Sequence, residues 1–223
     1  MKSIILSIVL LSTVFPRFPD AVGKNGMVVS SNKYASEVGI EILKSGGNAI
    51  DAAIATGFAL AVVHPGAGNI GGGGFMVIRL ADGTVTTIDF RETAPTKAYR
   101  DMFLDDSLNV ISGKSWSTSW ATGVPGSVAG FGLAHEKYGS IQWKNLVYPA
   151  SRLALKGFEL DIVNYSYLNS PYYNHFLSND VEAAKIFTKE NKGMFQLGER
   201  FIQQDLGLTL KRVARKGYKE FYQ

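Results

Sequence analysis

Among the charged residues of this 223-residue sequence, Arg91 is the strongest candidate for a functional role. It lies within residues 89–95 (DFRETAP), directly after a β-type run, and loops at strand ends often carry functional groups. A guanidinium can bind a carboxylate through two parallel hydrogen bonds. Asp89 and Glu92 offer a simpler partner, a local salt bridge. From the residues alone the salt bridge is preferred, and carboxylate binding is the alternative.

A cluster of glycines precedes that run. Six of the 24 glycines fall between Gly66 and Gly74. Their spacing includes G-x-G-x-x-G, but a dinucleotide site needs a strand before this motif and a helix after it, and here the order is reversed. No Gly-Lys-Ser/Thr follows, so the cluster is not a P-loop either. The four successive glycines Gly71–Gly74 instead predict the close approach of another backbone or of a substrate.

The sequence gives little indication of a metal site and contains no thiol. The sequence has no cysteine, which excludes disulfides, thiolate zinc sites, iron–sulfur clusters and a cysteine nucleophile. His135 begins a match to the zinc motif H-E-x-x-H, but Gly139 occupies the position of the second histidine. His64 and His175 are isolated, and we interpret them as capping or surface residues. The net charge of +4 is too small to indicate nucleic acid binding.

The elements that position these residues follow from hydrophobic periodicity and from turn residues. Helices are predicted at residues 34–44, 49–63, 128–138, 142–156 and 205–216, and β-type runs at residues 75–80 and 85–90. Asp-Gly between the two β-type runs predicts a hairpin, which would present Arg91 at its end. Ser127 is predicted to cap the third helix, and Pro149 to kink or break the fourth.

The remaining segments are less regular. Residues 91–126 read as a long loop, and residues 160–200 have only weak periodicity. Trp116 and Trp120 lie in the loop and could line a pocket, but packing of the loop onto the core is the preferred interpretation.

The N-terminus has the pattern of a secretory signal. Lys2 precedes an apolar run at residues 4–15, which is too short to span a membrane, and Ala21 is a candidate cleavage position. We therefore expect residues 1–21 to be a signal peptide, residues 22–223 to be the folded part, and the protein to be periplasmic or secreted. A buried strand or an uncleaved membrane anchor are the alternatives.

Four motifs occur in a fixed order: residues 45–53 (SGGNAIDAA), 66–75 (GAGNIGGGGF), 89–95 (DFRETAP) and 123–130 (GVPGSVAG). Together they resemble the gamma-glutamyltransferases, also called glutathione hydrolases. The resemblance extends from about Gly26 to Tyr222. It implies an α+β fold, the αββα sandwich of the N-terminal-nucleophile hydrolases, incomplete in this chain.

The resemblance also implies a reaction. Family members are proenzymes that cut themselves into a large and a small subunit, and the new N-terminal threonine attacks the gamma-glutamyl amide of glutathione. Water, an amino acid or a peptide then accepts the glutamyl group. No metal or organic cofactor is implied. The partners implied are gamma-glutamyl compounds, these acceptors and the small subunit of the same proenzyme.

Only two features carry over residue by residue. Arg91 matches the family arginine that binds the α-carboxylate of the glutamyl group, which reverses the preference stated above. The run Gly71–Gly74 matches a motif whose role we take as mainly architectural. The Thr-Thr-His segment that starts the small subunit does not occur, and neither Thr118 nor Thr122 has that context. We therefore expect the N-terminal part of the large subunit, without its nucleophile and inactive by itself.

Two further interpretations remain open. The chain could be a truncated, non-catalytic paralogue that acts as a binding module. It could also belong to an enzyme of the same fold with another substrate, such as a cephalosporin acylase or a poly-gamma-glutamate processing enzyme. Arg91 disfavours the acylase, because this arginine would bind a free α-carboxylate.

Overall fold

The computed structural model describes residues 21–189 and 193–223 and contains both helices and strands. Residues 1–20 of the expected signal peptide lie outside the described residues. The helices are α1 Lys33–Lys44, α2 Ala49–Val63, α3 Ser127–Tyr138, α4 Trp143–Lys156, α5 Ile162–Leu168, α6 Pro171–Leu177, α7 Val181–Phe187 and α8 Gln204–Lys216. The strands are β1 Phe75–Arg79, β2 Val85–Asp89, β3 Phe158–Glu159 and β4 Arg200–Phe201. Within the described ranges they form two separate antiparallel pairs, β1–β2 and β3–β4, rather than stacked sheets.

The helix α2 forms the centre of the core. It is apolar on almost every side, and α1, α3 and α4 pack around it, while α8 packs on α4. Ile54, Phe58 and Val62 are fully buried. The ring of Phe58 makes edge-to-face contacts with Phe131 and Trp143 at centroid distances of 5.0 and 5.5 Å. An all-round apolar helix is stable only where neighbours cover it, as they do here.

The N-terminus of α2 is held by a capping box that also fastens the turn between α3 and α4. The Asn48 side chain accepts hydrogen bonds from the first turn of α2, and Asp51 accepts the Asn48 backbone N–H at 3.0 Å. The fully buried Asp51 carboxylate also accepts the backbone N–H and the hydroxyl of Ser140, the latter at 2.5 Å. Asn48 Nδ2 donates to the Tyr138 carbonyl at 2.7 Å. One pair of side chains therefore joins α2 to the end of α3 and to the turn that leads into α4.

Asp51→Asn tests this junction. The amide would place an N–H₂ group against the donors of Asn48 and Ser140, so we expect the free energy of unfolding to fall by about 2 kcal/mol. Chemical denaturation of the purified protein measures the change. Asp82→Asn, in an exposed turn, is the matched control and should change stability by less than about 0.5 kcal/mol. Equal effects of the two substitutions would contradict the structural role of Asp51.

The C-terminus of α2 is capped by side chains from distant segments. Asn32 Nδ2 and Asn164 Nδ2 both donate to the Val63 carbonyl, at 3.0 and 2.9 Å. Gln203 Nε2 donates to the Val62 carbonyl at 2.8 Å. The three donors are buried, so the last two carbonyls of the helix are satisfied without solvent.

The hairpin β1–β2 confirms the prediction from Asp-Gly. Gly83 has φ +88°, and the Asp82 carboxylate accepts the Thr84 N–H at 2.8 Å. Ile78 and Ile88 are buried, whereas the opposite face of the hairpin exposes apolar side chains, namely Phe75, Val77 and Val85. The hairpin therefore contributes one face to the core and leaves the other open.

The predicted cap of α3 is wrong, and α4 is not broken at its proline. Ser127 is the first residue of α3 and not its cap; Gly126 is the cap, and it makes no side-chain hydrogen bond. The backbone carbonyl of Gly72 accepts the N–H groups of Gly126 and Ser127 instead, at 2.7 and 2.9 Å. The helix α4 also continues through Pro149. A proline removes one N–H and crowds the carbonyl four residues before it, but the buried face of α4 against α2 and α8 maintains the helix.

The weakly periodic segment 160–200 contains three helices that periodicity did not reveal, α5, α6 and α7. Each is seven residues long, which is two turns and too short for a repeat to be recognised. Asp161 and Asp180 cap α5 and α7 by accepting the N–H groups of Asn164 and Ala183. These aspartates were the available sequence signal.

Candidate functional site

Arg91 lies directly after β2, where the hairpin prediction places it. Its backbone N–H donates to Asp89 Oδ1 at 2.9 Å, and its side-chain Nε donates to Glu92 Oε2 at 3.0 Å. The guanidinium carbon is 5.8 Å from the centroid of the Phe75 ring. The local salt bridge expected from the residues is therefore present, with Glu92 as the partner, and Asp89 binds the backbone.

The pairing with Glu92 leaves part of the guanidinium available. In the part of the chain that the structure describes, the two terminal amino groups of Arg91 have no hydrogen-bond partner, and 62% of the side chain is exposed. The pKa of Glu92 is lowered by a hydrogen bond from the backbone N–H of Glu92 and then by the Arg91 guanidinium. The Glu92 carboxylate therefore stays ionised at neutral pH. Nε is thus held while the fork of terminal N–H groups can bind a second carboxylate.

A cleft of about 480 Å³ lies beside this fork. Residues 91–95 form one side, and residues 120–123 form another. Met102 and Phe103 contribute apolar surface to the cleft, and Met102 is buried. The long loop 91–126 therefore folds back on itself to enclose a space next to the guanidinium.

The glycine run packs against the segment that carries Arg91. Gly74 and Phe90 exchange backbone hydrogen bonds at 3.3 and 3.0 Å. A Cβ atom at Gly73 would lie 2.4 Å from the Phe90 carbonyl oxygen, closer than any side chain allows. Gly71, by contrast, has open space around it and lines the cleft. Of the two predicted reasons for the run, close approach of another backbone applies at Gly73 and Gly74.

The fourth motif approaches the same segment from the other side. Val124 and Thr93 exchange backbone hydrogen bonds at 2.8 and 3.3 Å. A Cβ at Gly126 would lie 2.0 Å from the Phe90 carbonyl oxygen, and one at Gly130 would lie 2.2 Å from Phe90 Cγ. Three of the four motifs therefore converge around residues 90–93. The first motif lies elsewhere, at the connection between α1 and α2.

The two tryptophans of the loop do not pack on the core, so the preferred interpretation is wrong for both. Trp120 is 50% exposed and lines the cleft, with Lys114 Nζ 4.5 Å from the centroid of its ring. Trp116 is 65% exposed and contacts Phe176 of α6 edge to face. The path of the loop places Met102, Phe103 and Trp120 beside the cleft. Their position could not be predicted, because the loop sequence has no periodic pattern.

Two of the three histidines take structural roles. His135 Nε2 lies 2.7 Å from the Ile141 carbonyl, and His64 caps the C-terminus of α2 through its backbone N–H. Across residues 21–189 and 193–223, no group of three or more acidic or histidine side chains is arranged to hold a metal ion. Over the same residues no helix has the length and apolar character needed to cross a bilayer.

Solved structures place this fold in a known class. The chain is similar to the gamma-glutamyltranspeptidase of Helicobacter pylori, with 44% identity and a TM-score of 0.87 over 92% of this chain and 58% of that one. It is also similar to a cephalosporin acylase from Bacillus halodurans, with 27% identity and a TM-score of 0.73 over 92% of this chain and 39% of that one. The fold is that of the N-terminal-nucleophile hydrolases, an α+β class.

Sequence comparison then specifies the family. Residues 35–223 match the family model described as gamma-glutamyltranspeptidase. The glutathione hydrolase proenzyme of Pseudomonas sp. (strain A14) is 51% identical over 200 residues, which cover 89% of this chain and 34% of that protein. The chain belongs to the gamma-glutamyltranspeptidase family. It spans about a third of the length of the curated relatives it matches.

Proposed function

We propose that this chain is part of an enzyme that cleaves the gamma-glutamyl amide of glutathione and transfers the glutamyl group to water, an amino acid or a peptide. The observation that carries the proposal is the guanidinium of Arg91, whose terminal N–H groups are unpaired among the described residues and lie beside a cleft. Family membership supplies the reaction, and Arg91 supplies the group that selects its substrate.

Arg91 binds the α-carboxylate of the donor in this proposal. Two N–H groups in a planar fork match the two oxygens of a carboxylate, and Glu92 fixes the guanidinium through Nε. The glutamyl chain then extends from this anchor and presents its γ-carbonyl at a fixed distance. A donor that is anchored at one end reacts at the other with less loss of entropy in the transition state.

The nucleophile comes from outside this sequence in the same proposal. A catalytic N-terminal threonine attacks the γ-carbonyl through Oγ, its own free amine accepts the proton, and donors around the oxyanion stabilise the tetrahedral intermediate. Thr122 lines the cleft, but its nitrogen is a peptide N–H that donates to the Ser119 carbonyl. Thr118 Oγ1 donates to the Lys114 carbonyl. Neither has a free amine, and we propose that the small subunit of the same proenzyme provides the threonine.

The chain by itself should therefore be inactive. We expect the purified 223-residue product to release no amine from a gamma-glutamyl anilide above the uncatalysed rate, because it lacks the threonine with a free amine. Absorbance of the released aniline measures the reaction. Turnover by this product alone would contradict the assignment of the nucleophile to another subunit.

A pair of substrates tests the proposed function in the full-length proenzyme. The gamma-glutamyl anilide carries the α-carboxylate, whereas a 4-aminobutyryl anilide has the same chain and amine without it. We expect kcat/KM to be about 10- to 150-fold higher for the gamma-glutamyl compound, because charge-assisted hydrogen bonds contribute about 1.5–3 kcal/mol. Equal kcat/KM values would favour an acylase-type substrate and contradict the proposal.

Export is part of the proposed function. The basic start, the short apolar run and the candidate cleavage position at Ala21 support a signal peptide at residues 1–21, and residues 22–223 would then form the N-terminal part of the large subunit. We propose a periplasmic or secreted enzyme. The truncated paralogue stays the alternative, and the open reading frame after Gln223 distinguishes them: continuation to a Thr-Thr-His segment supports the enzyme, and a stop codon supports the paralogue.

A further inference from the structure

We infer that Phe90 is a positioning residue for Arg91 and acts through a glycine socket, which we define as Gly73, Gly74, Gly126 and Gly130. This inference rests on the proposed function, because it concerns how the carboxylate-binding guanidinium is held in place. Four side-chain-free positions surround the residue that directly precedes Arg91. The arrangement fixes the backbone from which the guanidinium extends.

The ring of Phe90 fits two of these glycines closely. A Cβ at Gly130 would lie 2.2 Å from Phe90 Cγ, and a Cβ at Gly74 would lie 3.1 Å from Phe90 Cε2. The ring also contacts Phe131 edge to face, with 5.7 Å between the centroids. The side chain is therefore confined by the backbone of α3 on one side and by the glycine run on the other.

The backbone of Phe90 is confined by the same socket. Its N–H and carbonyl pair with Gly74. Cβ atoms at Gly73 and Gly126 would lie 2.4 and 2.0 Å from its carbonyl oxygen, so the two glycines pack tightly against it. Ring and peptide are thus both held at the residue before Arg91.

The side chain of Arg91 has few contacts besides its bond to Glu92 and the Phe75 ring. Its side chain is 62% exposed, and within the described residues its hydrogen bonds are the Nε bond to Glu92 and the backbone bond to Asp89. A side chain in such a setting takes its position from its backbone. A displaced guanidinium makes longer and less well aligned hydrogen bonds to a carboxylate, which weakens binding of the substrate. The glycine socket therefore sets the accuracy with which the α-carboxylate is bound.

A double-mutant cycle in the full-length proenzyme tests the inference. The variants are Phe90→Ala, Arg91→Gln and the combination, assayed with the gamma-glutamyl anilide and with the 4-aminobutyryl anilide. If Phe90 acts through Arg91, Phe90→Ala raises KM for the gamma-glutamyl donor by about 5- to 20-fold, with a smaller change in kcat and little effect on the other donor. In the Arg91→Gln background, Phe90→Ala adds less than about twofold. Additive effects, or equal effects on both donors, would overturn the inference.

Further variants separate positioning from folding. Phe90→Leu keeps a partly buried apolar group and should raise KM for the gamma-glutamyl donor less than Phe90→Ala does. This smaller increase, and its loss in the Arg91→Gln background, carries the cycle if Phe90→Ala does not fold. Phe187→Leu removes a half-buried ring from the distant helix α7 and should leave KM for both donors unchanged. If Arg91→Gln has no effect with the gamma-glutamyl donor, the proposed function fails together with this inference. If Arg91→Gln has its effect and Phe90 shows no coupling to it, only the inference fails.

Discussion

Arg91→Gln in the full-length proenzyme is expected to lower kcat/KM for a gamma-glutamyl anilide by about 10- to 150-fold, mainly through a higher KM. The loss of charge-assisted hydrogen bonds to the α-carboxylate corresponds to about 1.5–3 kcal/mol. Binding at this end of the donor is the same in the ground state and in the transition state, so kcat should change less than KM. Initial rates over a range of donor concentrations measure both constants.

Arg100→Gln is the control for this substitution. Arg100 belongs to the same loop, is 93% exposed and pairs with Asp101 at 3.1 Å. The substitution Arg100→Gln removes the same charge at a residue that does not line the cleft. The value of kcat/KM should therefore stay within about twofold of the parent value. Unchanged donor kinetics in Arg91→Gln, or an equal loss in both variants, would contradict the role proposed for Arg91.

Gly126→Ala is expected to lower the free energy of unfolding by about 3 kcal/mol. The new methyl group would meet the Phe90 carbonyl oxygen at 2.0 Å, and a backbone atom cannot move aside as a flexible side chain can. Its φ of −109° suits alanine, so the effect comes from the clash and not from backbone strain. Chemical denaturation of the purified protein measures the loss.

Gly71→Ala gives the matched comparison for stability. It belongs to the adjacent glycine run, and a Cβ there would have no neighbour within 4 Å. We expect its unfolding free energy to equal or slightly exceed that of the parent, because alanine restricts the unfolded chain. A loss in Gly71→Ala as large as that in Gly126→Ala would show that the glycines are not distinguished by packing.

The sequence was sufficient for the elements whose signals are local. The apolar length of α2 and its capping residue Asn48 predicted the helix at its observed bounds, and Asp-Gly predicted the hairpin that ends at Arg91. In each case the residues that determine the element lie within it or beside it. The prediction that Ser127 caps α3 failed for the opposite reason. The N–H groups at the start of α3 donate to the Gly72 carbonyl, which is far away in the sequence.

The cleft could not be predicted for a related reason. It depends on how the loop 91–126 folds back, and that path is set by the contacts of Gly73 and Gly126 with Phe90. A glycine at such a contact has the same appearance in a sequence as a glycine in an open turn. The resemblance to a family identified Arg91 among several loop charges, and the structure added the apolar side chains beside it.

The distant donors that cap α2 have a consequence for the order of folding. Gln203 reaches the Val62 carbonyl across 141 residues of sequence, and Asn164 reaches Val63 across 101. The last turn of this central helix can acquire its capping donors only after the chain as far as Gln203 has been synthesised. Contacts of such long range make folding slow. Until then, a nascent chain carries its most apolar helix with only one of these three capping donors, Asn32, in place.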